Sequence, residues 1–248
     1  MLAISPRQIL ADGTVRQHGA PASQQPFVVR LLGADDLPTL ETFRTLIFEA
    51  LPDIDAYFPE TQDFAALHLG DRGVTFGAEV EGRLIACAVI GLPRAGLPSF
   101  AADLAEPRPA PEVTAHMASC MVHPDYRGNH LQKYFVGLRT LYAVAAGRPH
   151  HLTRIALSNP VSLRNMLDCG YTVRRILVMH GTRYRYLLYR DLLSAPTPFD
   201  AAALRIIAIR DRDAQMRAID DGLIGVQVVD TAAGVSLAFA AANGPQRS

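Results

Sequence analysis

The sequence predicts an α+β (α/β) fold: a central mixed, mostly antiparallel sheet flanked by helices, with a small C-terminal α/β annex. Three observations predict it. Apolar segments of strand length alternate with segments whose apolar residues recur at helical spacing. Two pairs of strand-like segments meet at glycine turns, Glu81-Gly82 and Gly181, as antiparallel hairpins do. After Pro196 and Pro198 the composition resets, and a strand, a helix and a hairpin are legible again.

In chain order, residues 1–26 are rich in Pro, Gln, Gly and Ser with little periodicity, so a loosely attached extension is expected. "FVVRLLG" (27–33) reads as a strand. The helix that follows carries Leu40, Phe43, Leu46, Ile47 and Leu51 on one side, with Asp35 or Asp36 at its start. "GVTFGAEVEGRLIACAVIGLP" is the first hairpin. Residues 93–111 form a long Pro- and Ala-rich loop, either a binding loop or a surface insertion. "VTAHMASCMV" (113–122) is a buried strand, and the helix after it carries Leu131, Tyr134, Phe135, Leu138, Leu141, Tyr142 and Ala145, with Lys133 and Arg139 off that stripe. Gly147 and Pro149 stop it. A strand (152–158) precedes a short helix with Asn159 at the cap, Pro160 at its first position and Gly170 at its end. The second hairpin closes a main domain over 27–192, and the annex, 197–248, carries a helix over 211–221 and a hairpin through Ala232-Ala233-Gly234.

Composition narrows the function. The 248 residues include 24 Lys plus Arg against 24 Asp plus Glu, so no global field draws the chain to nucleic acid or to an anionic membrane. "RYRY" at 183–186 alternates faces of a strand, so its Arg pair reads as a solvated face. The three cysteines, Cys87, Cys120 and Cys169, form no C-x-x-C pair, and no segment reads as a leader or a membrane span. A cytoplasmic protein without a bound metal is expected.

Chemistry concentrates at "HPDYRGNHLQK", His123 to Lys133, where a buried strand turns into a helix. The first amides of a helix point one way with the positive end of the macrodipole behind them, so an anion can be held there. Arg127 can add a charge-assisted contact, and Gly128 allows close backbone approach.

"MVHPDYRGNHLQ", followed about thirty residues on by "SNPVSLRNMLDCGY", resembles the GCN5-related N-acetyltransferase (GNAT) family over residues 27–190. The resemblance implies an acyl-CoA site. Backbone of Met121 and Val122 would pair with the pantetheine arm, and amides of Arg127, Gly128, Asn129, His130, Leu131 and Gln132 would hold the pyrophosphate. Asn159 would sit beside the pantetheine, with Ser162 one turn on. The activity implied is acetyl-CoA-dependent transfer of an acetyl group to a primary amine of a small molecule or peptide, by direct attack in a ternary complex. A homodimer is compatible with it. Two alternatives share the site: a catalytically weak acyl-CoA-binding sensor, and an acyltransferase for longer acyl chains.

Several positions depart from the family pattern. His130 and Gln132 stand where Gly, and Gly or Ala, are usual; Ala118 stands where many members place a basic carboxylate; Met166 stands where many place an acidic Tyr. The leaving thiol, with pKa near ~8.5, makes a missing acid tolerable, whereas a lysine-like amine of pKa ~10.4 still needs a base. His116, two residues before Ala118 on the same strand face, is the nearest candidate; a hydrogen-bonded histidine at the strand's start is the equal alternative. Ser119 could position a water. Cys120 lies about 13 Å along the strand from His116, too far for a shared hydrogen bond, and reads as a core thiol. Asp53, Asp55, Tyr57 and Glu60 would face a cationic acceptor, or else form an ordinary polar loop.

Overall fold

The computed structural model describes residues 5, 7–19, 24–51, 53, 62–179, 181, 183–195, 198–232 and 234–241. Eleven strands form one sheet: β1 (Ile9–Arg16), β2 (Gln24–Leu32), β3 (Gly73–Val80), β4 (Arg83–Gly91), β5 (Thr114–Val122), β6 (His150–Ala156), β7 (Thr172–Met179), β8 (Arg183–Asp191), β9 (Arg205–Ala208), β10 (Leu223–Thr231) and β11 (Gly234–Ala241). They lie in the order β1-β2-β3-β4-β5-β6-β8-β7-β10-β11-β9. Every pairing is antiparallel except β5 with β6. The helices are α1 (Leu37–Glu49), α2 (Gln62–Leu67), α3 (Leu131–Ala145), α4 (Pro160–Asp168) and α5 (Arg212–Asp220). The mixed, mostly antiparallel sheet and its flanking helices are the fold class expected.

Three features differ from expectation. The first 26 residues are not wholly a loose extension, because β1 pairs with β2 along nearly its whole length, from Ile9↔Arg30 to Arg16↔Gln24. The C-terminal strands continue the main sheet, joined at Gly225↔Val173 between β10 and β7. Gly225 is required there: a Cβ would come within 2.9 Å of both the Val173 Cβ and Leu237 Cδ2.

The third difference concerns α3. Leu131, Phe135 and Tyr142 enter the core as their spacing predicts, but Leu141 is exposed and Arg139 is only 1% exposed. The sheet beneath supplies the reason. Between Ala88↔Cys120 and Ile90↔Met117 the register of β4 and β5 shifts, so Ala118 and Ser119 face the single residue Val89. Such a bulge leaves ladder groups unpaired. Arg139 fills the gap, donating from Nη1 to Val89 O at 3.0 Å and to Ala118 O at 3.4 Å, and from Nε to Phe135 O at 3.3 Å.

Candidate functional site

The parallel contact between β5 and β6 is brief. It pairs Thr114–His116 with His150–Leu152 and then stops. At the next step Thr153 donates its hydroxyl to Met117 O at 2.6 Å, a side chain taking the place of a ladder bond. Beyond it the strands part around a cavity of about 370 Å³, with Met117, Ala118, Ser119 and Cys120 on one wall and Thr153, Arg154, Ile155 and Ala156 on the other. Gln132 and Arg139 of α3 and Asn159, Ser162 and Met166 around α4 complete that end.

The two sequence motifs meet there. Asn159 Oδ1 accepts from Ser162 N at 3.0 Å, the N-cap expected for α4. Ser162 Oγ accepts from Gln132 Nε2 at 2.7 Å, and Gln132 Oε1 accepts from Asn165 Nδ2 at 2.8 Å. This chain of amides and a hydroxyl ties the start of α3 to the start of α4 across the mouth of the slot. Gln132 is that cross-brace.

The Arg127–His130 loop turns on two left-handed residues, Gly128 at φ 79° and His130 at φ 57°, the latter being the N-cap of α3. Arg127, Gly128 and His130 are exposed, whereas Leu131 is buried in the core. Asn129 directs its side chain to Arg16 and Tyr126. Met121 packs its side chain with Leu32, Leu40 and Cys87, and Val122 pairs with Ala86; neither is among the residues lining the cavity.

At the other end of the cavity lie Phe64, Phe100, Arg154, Met179 and Arg185. Phe100, in the long loop, stacks on His116 with ring centroids 3.9 Å apart and planes within 7°. Arg154 covers it at 4.1 Å and pairs with Asp103. The His116 imidazole also accepts from Phe100 N at 3.0 Å through Nε2, with Ser99 Oγ at 3.3 Å. Burial, followed by the nearby Arg154, His68 and Arg148, pushes its pKa down to about 3. The pKa near neutrality expected of His116 is therefore not what its surroundings provide: its lone pair is engaged, its ring is 9% exposed, and it anchors the loop.

Ala118 and Met166 line the cavity as the apolar residues the sequence shows, and Ser119 lies between Ala118 and Cys120 on the same wall. Burial pushes the Cys120 thiol upward, consistent with an unreactive wall residue. Among the described residues lining the cavity there is no Asp, Glu or His. Of the acceptor-side candidates, Asp53 is exposed, while Asp55, Tyr57 and Glu60 lie outside the described residues. Phe64, Phe100, Arg139 and Arg154 escape sequence reading because three lie on segments with no motif, and periodicity assigns Arg139 to solvent. No group of three or more His, Cys, Asp or Glu among the described residues could hold a metal ion. Nor is any helix among them long and apolar enough to cross a membrane.

No family model matches the chain, and no curated protein matches it closely enough to count as a relative. Solved structures do. Salmonella typhimurium yncA, solved with its cofactor acetyl-CoA, aligns at a TM-score of 0.52 and 18% identity over 71% of this chain and 98% of its own. The GNAT domain of S. lividans PAT aligns at 0.52 and 18% identity, over 73% and 97%. Ard1 from Thermoplasma volcanium aligns at 0.51 and 13%, over 68% and 99%. With its divergent β5–β6 pair, its loop at the start of α3 and its antiparallel flanks, the chain has the fold of the GCN5-related N-acetyltransferases.

Proposed function

We propose that the chain transfers an acetyl group from acetyl-CoA to a primary amine by direct attack. The parting of β5 and β6 carries this reading, because it opens a slot between strand backbone and the N-terminal ends of α3 and α4. The residues present fit an acyl-CoA: free strand edge for an amide-bearing arm, and a glycine-containing loop at a helix start for phosphate oxygens. That yncA was solved with acetyl-CoA supports the choice of coenzyme.

In this reading the amine nitrogen bonds to the thioester carbon, the carbon–sulfur bond breaks, and the leaving thiolate takes up a proton while the amine loses one to water. The chain's own part is to align the two reactants and exclude bulk water, which can supply several kcal/mol of barrier lowering (about 7–11 in well-oriented cases). Arg139 fixes the bulge carbonyls beside the reacting end, and His116 holds Phe100 against it. We assign His116 to that positioning task, and proton acceptance to solvent. Ser119 stands on the cavity wall between Ala118 and Cys120.

The second reading, a coenzyme-binding module with little turnover, is favoured by the same lining, which holds no base among its described residues. One experiment separates them. Calorimetric titration with coenzyme A and thiol release from acetyl-CoA over a panel of amines should show binding and turnover. Binding without turnover selects the second reading, and no binding sinks both.

A further inference from the structure

Residues 16–18 run from the end of β1 directly against the loop that begins α3. Asn129 grips the main chain of Arg16 from both sides, its Oδ1 accepting from Arg16 N at 2.8 Å and its Nδ2 donating to Arg16 O at 2.8 Å and to Tyr126 O at 2.9 Å. His18 N donates to Asp125 O at 2.7 Å. His18 Nε2 lies 2.9 Å from Arg127 O, and since a carbonyl only accepts, the imidazole donates there. Gln17 Nε2 donates to the Asp125 carboxylate at 3.3 Å.

The loop so held is one that would not hold itself. A non-glycine residue at positive φ, such as His130 at 57°, carries a cost of about 1–2 kcal/mol that persists only where surrounding contacts fix it. The Asn129 side chain is occupied by Arg16 and Tyr126 and so braces the loop from within. A Cβ built on Gly128 would lie 4.0 Å from His18 Nε2, so the strap also runs close beside this residue.

We propose that Arg16–His18 form a positioning strap that sets the α3 loop for the phosphate groups of the coenzyme; this rests on the acyl-CoA reading above. His18 and Asn129 are its side-chain anchors. A loop ordered before binding spares the ligand that ordering, so loss of an anchor weakens phosphate-bearing ligands selectively. Coupling is reciprocal, so the ligand must also tighten the strap.

The test uses the full chain and its His18→Ala and Asn129→Ala variants. Each lost hydrogen bond should weaken coenzyme A by about 3–10-fold in calorimetry, as a net worth near 1 kcal/mol implies. For His18→Ala, KM for acetyl-CoA should rise while kcat holds, and rates with S-acetylpantetheine, which lacks the pyrophosphate, should be unchanged. In the wild type, saturating coenzyme A should slow amide hydrogen exchange at His18. His18 is exposed, so its variant folds whatever becomes of Asn129→Ala. A wild type that binds coenzyme A as tightly as both variants do overturns the strap alone, as does equal loss with S-acetylpantetheine. A wild type that binds none overturns the strap together with the functional reading.

Discussion

Acid should loosen this protein through two buried histidines, and His116 allows the effect to be worked out. Its folded-state pKa is pushed down to about 3, against an unfolded value near 6.5. Between those values the unfolded chain binds the extra proton, so stability rises with pH through this window and is lost as pH falls through it. Going from pH 7 to pH 4.5, the linkage relation gives a loss of about 2.5 kcal/mol from this residue. His151, wholly buried with Nε2 on Arg148 O at 3.0 Å and Nδ1 facing Tyr171 Oη at 3.4 Å, is pushed down to about 4 and should lose a similar ~2.4 kcal/mol. Together they cost a sizeable fraction of the 5–15 kcal/mol typical of a whole domain. The assay is urea unfolding of wild type and His116→Asn at both pH values, comparing the drop within each protein so that any uniform destabilisation cancels. The variant should lose about 2.5 kcal/mol less than wild type. Equal drops would mean that the imidazole titrates near its ordinary value, and the loop-anchoring role would fall with it.

With no Asp, Glu or His among the described residues lining the cavity, log kcat/KM for the acceptor should climb with unit slope toward the acceptor's own pKa, ~10.4 for a lysine-like amine. A plateau setting in near pH 6.5 would reveal an enzyme base. Arg139→Met should remove the donors to Val89 O, Ala118 O and Phe135 O and cost about 3 kcal/mol or more in urea unfolding, with Arg139→Lys intermediate; a loss below about 1 kcal/mol refutes its bulge-holding role. Gly225→Val should clash with Val173 and Leu237, costing about 1–3 kcal/mol and raising hydrogen exchange in β10 and β11; unchanged exchange there would mean that the seam with β7 is not a close contact.

What could be read from the sequence, and what could not, divides along the range of the interactions involved. Asn159 was legible as a cap because a cap is a contact across three residues, and Asn159 Oδ1 on Ser162 N is that contact. The hairpin at Glu81-Gly82 was legible for the same reason: two positive-φ residues between apolar runs are a local signal. β1 was not, because only Val15 of its eight residues is buried, and its anchors, Asn129 and Tyr134, lie more than a hundred positions away. Arg139 defeats the periodic rule in a more instructive way. Helical spacing sorts a charged residue to solvent, yet this one is drawn inward because a shift in register on a neighbouring strand pair leaves carbonyls that only a long cationic donor can reach. His116 shows the converse. Its place on the strand suggested chemistry, while burial, with a loop phenylalanine sixteen residues upstream stacked on its ring and Arg154 nearby, pushes its pKa down. In each case the residue type was plain in the sequence and the partner was not, and the partner determines whether a polar side chain works on a substrate or holds the wall beside it.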